Sequence, residues 1–128
     1  MSDTLYTVTQ LAKELGVTAR TVRFYEDKGL LTPARKGQTR VYDARDRARL
    51  KLILRGRRIG FTLQEIQDMM DLYDRKDHNV HQMAVALVRH RAQIAALKQQ
   101  LEDIEGAIET AETACAWMES KLSEHRPD

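Results

Sequence analysis

Apolar positions recur at helical spacing along most of the chain, with glycine and proline marking the breaks. Leu11, Ala12 and Leu15 form the first inward stripe, with Thr9 placed to cap the helix and Gly16 to end it. Gly16-Val17-Thr18 reads as a tight corner. Glycine supplies the left-handed backbone, Val17 packs between helices and Thr18 caps the next one. That second helix runs to about Lys28 and stops at Gly29. A short helix, a glycine corner and a second helix make a helix-turn-helix pattern.

The period then changes. Pro33 forbids a continuing helix and pushes Thr32 extended. Gly37 is a turn residue with β-favouring Val41 and Tyr42 beyond it, so the segment predicts a small β-hairpin, a wing with a basic tip. Asp43 starts a third helix that ends near Gly60. Thr62-Leu63-Gln64-Glu65 is a capping box opening a fourth, with Leu63, Ile66, Met69, Met70 and Tyr73 available for the core. Charged residues from Asp74 to His78 form the connection.

From Val80 to Leu122 the apolar stripe tightens to a period of 3.5, carried by Met83, Leu87, His90, Ile94, Leu97, Leu101, Ile104 and Ile108 and continuing to Leu122. An uninterrupted helix over it would span roughly 63 Å. So narrow a stripe cannot be buried within its own helix, and an identical chain is the simplest partner. His90 within the seam is expected to fix register. Gly106 is the weak point, where the helix is able to bend and let the tail fold back. The expected architecture is mainly α: a winged helix-turn-helix domain over residues 1–76, then a dimerisation coiled-coil helix and tail over 77–128.

Charge sharpens this division. Residues 1–76 carry 16 basic and 10 acidic side chains, whereas 77–128 carry 5 and 9. Within 20–58 the balance is 13 to 4, a block able to neutralise phosphates and release counterions. The lone cysteine, Cys115, excludes an intrachain disulfide, and no signal-like or membrane-length apolar run is present. A cytoplasmic protein without membrane association is expected.

The second helix offers Thr18, Arg20, Thr21, Arg23 and Tyr25 to DNA. Arginine grips guanine edges in bidentate fashion, and hydroxyls suit phosphates. Spacing leaves open which arginine reads a base. Of Phe24 and Tyr25 one belongs to the core; Phe24 is the expected one, because Tyr25 has a hydroxyl to offer. The wing adds Arg35, Lys36, Arg40 and Tyr42. Arg55, Arg57 and Arg58 precede a helix start whose free amides suit a phosphate.

The stretch from Val8 to Asp74 resembles the MerR family of bacterial regulators. The carrying motifs are G-V-T, T-V-R-F-Y-E, G-L-L, R-V-Y and I-G-F-T-L-Q-E-I, over about residues 6–74. The resemblance implies an antiparallel dimer coiled coil and binding to a near-palindromic promoter. It also implies distortion of an over-long spacer so that RNA polymerase engages both promoter elements. The family wing commonly reads Gly-Tyr-Arg where this chain has Gln38-Thr39-Arg40, keeping the arginine and losing the tyrosine. The wing and the stretch before Gly60 look similar to the branch controlling leucine, isovalerate and related acyl-CoA catabolism, which implies an acyl-CoA-type effector.

Relatives in the family often sense metals. His78, His81 and Cys115 are the residues here that would do so, although Cys115 falls on the seam, where a small buried thiol is the ordinary use. No cofactor or catalytic grouping is expected, and the reading is not an enzyme. A DNA-binding accessory protein without a regulatory role is the other alternative; a footprint over a promoter spacer separates the two.

Overall fold

The computed structural model describes residues 4–73 and 80–125, without the side chains of 72 and 73. The core role expected of Tyr73, the 74–79 connection and His78 therefore fall outside the described residues. The elements run α1 (Val8–Leu15), α2 (Ala19–Asp27), β1 (Ala34–Lys36), β2 (Thr39–Val41), α3 (Ala44–Ile59), α4 (Leu63–Tyr73) and α5 (Val80–Glu124). By its contacts the chain divides into two units, Met1–Ala86 and Leu87–Asp128.

Helix α1 is capped by Thr7, not by the expected Thr9. The Thr7 hydroxyl accepts from the Gln10 amide at 3.1 Å, and the Gln10 side chain accepts from the Thr7 amide at 2.8 Å. This reciprocal box needs a polar residue three positions on. Thr9 would place Ala12 there, and Ala12 is buried. Gly16 closes the helix at φ 72°, and Thr18 caps α2, as the sequence pattern implies.

In the hairpin Ala34 pairs with Val41, Arg35 with Arg40 and Lys36 with Thr39, with Gly37 left-handed in the turn. Beyond β2, Tyr42 exchanges two backbone hydrogen bonds with Tyr6 at 2.7 and 2.8 Å, which ties the N-terminal segment to the wing. Asp43 caps α3 with Asp46 as its reciprocal partner. The Asp46 carboxylate also accepts from the Thr32 amide at 3.3 Å, so one buried side chain fixes both the start of α3 and the approach to the wing.

The core gathers Leu11 and Ala12 from α1, Val22 and Tyr25 from α2, Leu30 and Leu31 from the turn, Tyr42 from just after β2, Leu50 and Ile53 from α3, and Phe61, Ile66, Met69 and Met70 around α4. Burying such side chains stabilises the fold by roughly 1.5–3 kcal/mol each. Helices α3 and α4 approach closely at Gly56, where a Cβ would stand 2.8 Å from Ile66 Cγ1. On the other side, Arg47 of α3 donates from Nε to both Glu14 oxygens at 2.9 and 3.0 Å, fastening α3 to α1.

Helix α5 is one continuous element of 45 residues, about 67 Å long. The helix does not end at Gly106, so the tail does not fold back there. The Thr110 hydroxyl donates to the Gly106 carbonyl at 3.0 Å, and the helix carries on through both.

Candidate nucleic-acid interface

Helix α2 has two faces. Val22 and Tyr25, three residues apart, turn into the core, while Arg20, Arg23, Phe24 and Lys28 are exposed. This reverses the expectation for the aromatic pair. Tyr25 is 7% exposed and Phe24 45%, so the Tyr25 ring belongs to the core and Phe24 lies on the surface. Phe24 packs edge-on against Tyr25 with ring centroids 5.3 Å apart, and the Lys28 ammonium stands 5.5 Å from its centroid. Helical period was the signal that was available. A residue three after Val22 shares its face, whereas Phe24, two after it, is turned some 200° away.

Thr18 and Thr21 lie at the start of α2, where their hydroxyls are 3.0 Å apart and the Thr18 oxygen accepts from the Thr21 amide at 3.1 Å. Their first job is capping, leaving only part of their hydrogen-bonding capacity for phosphate. Arg20 projects from the same first turn and Arg23 from the turn that follows, both exposed.

The wing residues divide. Arg35 and Lys36 are exposed on β1. Arg40 is turned inward to Glu26 of α2, with Nε 2.8 Å from Glu26 Oε2 and 3.1 Å from Oε1. The Glu26 hydrogen bond and charge hold its guanidinium above the ordinary arginine range. Tyr42 is fully buried and donates its hydroxyl to Glu26 Oε2 at 3.2 Å. Burial first, and the Glu26 charge second, push the Tyr42 hydroxyl up to about 12. The expectation that Tyr42 faces DNA is therefore corrected: a side chain with no exposed surface cannot touch a phosphate. Glu26, which no sequence motif singled out as a site residue, joins the helix to the wing.

At the α3–α4 corner Arg55 and Arg58 are exposed. Arg57 donates to the Phe61 carbonyl at 3.2 Å. The helix start expected to hold a phosphate is partly filled from within. Glu65 accepts from the Thr62 amide at 2.9 Å, and Thr62 accepts from the Glu65 amide at 3.1 Å. A resident carboxylate competes with an incoming anion at such a terminus.

On α5, Met83, Leu87, Ile94, Leu97, Leu101, Ile104 and Ile108 are 39–57% exposed, and His90 is half-buried. Cys115 and His81 are exposed. Among the described residues no three His, Cys, Asp or Glu side chains cluster in a way that would hold a metal ion, and no helix is long and apolar enough to cross a membrane.

A helix with two exposed arginines beside a basic hairpin, both braced on a core to which four helices contribute, defines a winged helix-turn-helix protein of the nucleic-acid-binding kind. Comparison with known proteins places it more closely. The model of the MerR HTH family of regulatory proteins matches residues 6–73, and a second model, MerR DNA binding, matches 47–111. The chain belongs to the MerR family of DNA-binding transcriptional regulators. It is 30% identical to the regulator CueR of Escherichia coli O6:H1 over 102 residues, which cover 77% of this chain and 72% of the relative. Two solved structures are similar. HiNmlR, a family member lacking the sensor domain and bound to promoter DNA, has a TM-score of 0.65 at 20% identity, covering 94% of each chain. PbrR691 of Ralstonia metallidurans, in complex with lead(II), has a TM-score of 0.62 at 32% identity, covering 83% of this chain and 84% of that one.

Proposed function

We propose that the chain acts in the cytoplasm as a homodimer that binds a near-palindromic promoter and controls transcription by distorting the spacer. One observation carries the reading: α2 buries Val22 and Tyr25 and thereby presents Arg20 and Arg23 outward together. Arg35 and Lys36 of the wing, with Arg55 and Arg58, are suited to backbone contacts that set register without reading bases. The exposed period-3.5 face of α5 supports pairing with a second copy, and the family supports an antiparallel arrangement. Two heads held by one dimer fit two half-sites. Contacts at the outer edges of a site can stabilise bent or untwisted DNA between them, which is how RNA polymerase would come to engage both promoter elements. A regulon in acyl-CoA catabolism, with an acyl-CoA thioester as effector, rests on the wing and α3 sequence alone.

Metal response is favoured by the lead-bound relative. Within one chain, however, His81 and Cys115 sit 34 residues apart on a single helix, about 51 Å. A shared ion would need both protomers.

Footprinting on the promoter regions adjoining the gene tests the proposal. Protection across a promoter spacer is expected. Arg20→Ala or Arg23→Ala should weaken that binding by roughly 1–3 kcal/mol for an arginine that reads a base, with folding unchanged because both side chains are exposed. Wild-type affinity in both variants would reject α2 as the reading helix.

A further inference from the structure

Glu26 places a negative charge on the helix that faces DNA, where electrostatics alone would disfavour it. It sits three residues after Arg23 and is only 16% exposed. Its two oxygens are both used. Arg40 Nε lies 3.1 Å from Oε1 and 2.8 Å from Oε2, and the Tyr42 hydroxyl donates to Oε2 at 3.2 Å. The two partners stand in the middle of β2 and just beyond its end, so one carboxylate grips the wing at two points. Arg35 lies directly across the hairpin from Arg40. Two guanidiniums so placed repel each other unless one is neutralised. Glu26 neutralises Arg40, which leaves Arg35 as the member of the pair available to DNA.

We infer that Glu26 is a positioning residue. It locks the wing to the reading helix through Arg40 and Tyr42, so that wing and helix meet the duplex in one fixed register. The inference rests on the promoter-binding reading above. Glu26 touches no DNA itself. It strengthens specific binding by setting where Arg35 and Lys36 lie relative to Arg20 and Arg23. The lock predicts the opposite sign from charge alone: removing this acid should weaken binding to the correct site.

The test measures affinity by fluorescence anisotropy for the footprinted promoter fragment and for a shuffled duplex of equal length, at one salt concentration. E26Q is expected to lose about tenfold on the promoter fragment, the scale of one lost specific contact. On the shuffled duplex it should bind as well as wild type or slightly more tightly, because a repulsive charge is gone. R40Q should show the same loss of preference, and the double variant should be no worse than the poorer single one, since both remove one link. Tightened binding of E26Q to both duplexes would overturn the inference. So would a double variant whose loss is the product of the two single losses, which would make Arg40 an independent phosphate contact. Should E26Q melt below the assay temperature, the swapped pair E26R with R40E keeps the net charge and restores the link. It should recover preference relative to E26R alone, and equal losses in the two would overturn the lock. A wild-type chain without preference for the promoter fragment would instead bring down the regulator reading itself.

Discussion

The aromatic pair on α2 shows how much turns on one residue's orientation. Tyr25 fills the core and Phe24 lies on the surface. Tyr25→Ala should cost about 3–5 kcal/mol, the range for emptying a large aromatic site. Phe24→Ala should cost well under half of that, and urea denaturation of the two variants measures the difference. Equal losses would mean that the ring assignment is wrong. Gly56 is constrained in the opposite way, by closeness. A methyl group there would meet Ile66 Cγ1 at 2.8 Å and Cδ1 at 3.0 Å, inside a buried contact. Gly56→Ala is therefore expected to destabilise by about 1–3 kcal/mol through overpacking, despite alanine's better helix propensity. A denaturation midpoint at or above that of wild type would show that α3 and α4 separate freely.

At the level of elements, the tie between the wing and α2 should appear in alkaline solution. Burial and the neighbouring Glu26 charge raise the Tyr42 hydroxyl from 10.0 to about 12 in the folded chain. Below pH 10 it is protonated in both states. Between about pH 10 and 12 the unfolded chain gives up that proton while the folded chain keeps it, so stability is lost as pH rises. Thermal melts from pH 9 to 12 should therefore fall less steeply for Tyr42→Phe than for wild type. Parallel curves would contradict the buried hydroxyl. Most elements were legible in the sequence, because their ends depend on local chemistry: Gly16 and Gly60 at left-handed caps, and Thr18, Asp43 and Thr62 as N-caps. Thr9 misled because a threonine two residues earlier had the polar partner that a box requires. Tyr42 misled for a different reason. Its partner Glu26 is 16 residues away, and no periodicity within one element shows a contact between two. The link from Arg40 to the same carboxylate was hidden in the sequence for the same reason. The seam was legible as a pattern. The continuity of α5 through Gly106 was not, because one glycine among strong helix formers weakens a helix without necessarily breaking it.

At the scale of the whole molecule, the two units have different chemistry. The first packs a core under a basic surface, and the second is helix carrying a row of exposed apolar side chains. Their side chains are already about half covered by their own helix, so burying the remainder against a second copy would contribute roughly 1–1.5 kcal/mol each. Leu97, the least exposed leucine of the α5 seam at 39%, is the position at which to break it. Leu97→Asp would place two unpaired charges in an apolar contact. It should give monomers that keep the fold of the first unit but lose tight promoter binding. The most direct test of the account is sedimentation velocity of the wild-type chain, free and with the footprinted promoter duplex. The account predicts a dimer in solution and two chains per duplex. A monomer that binds one per duplex, with the same affinity for any sequence, would contradict it.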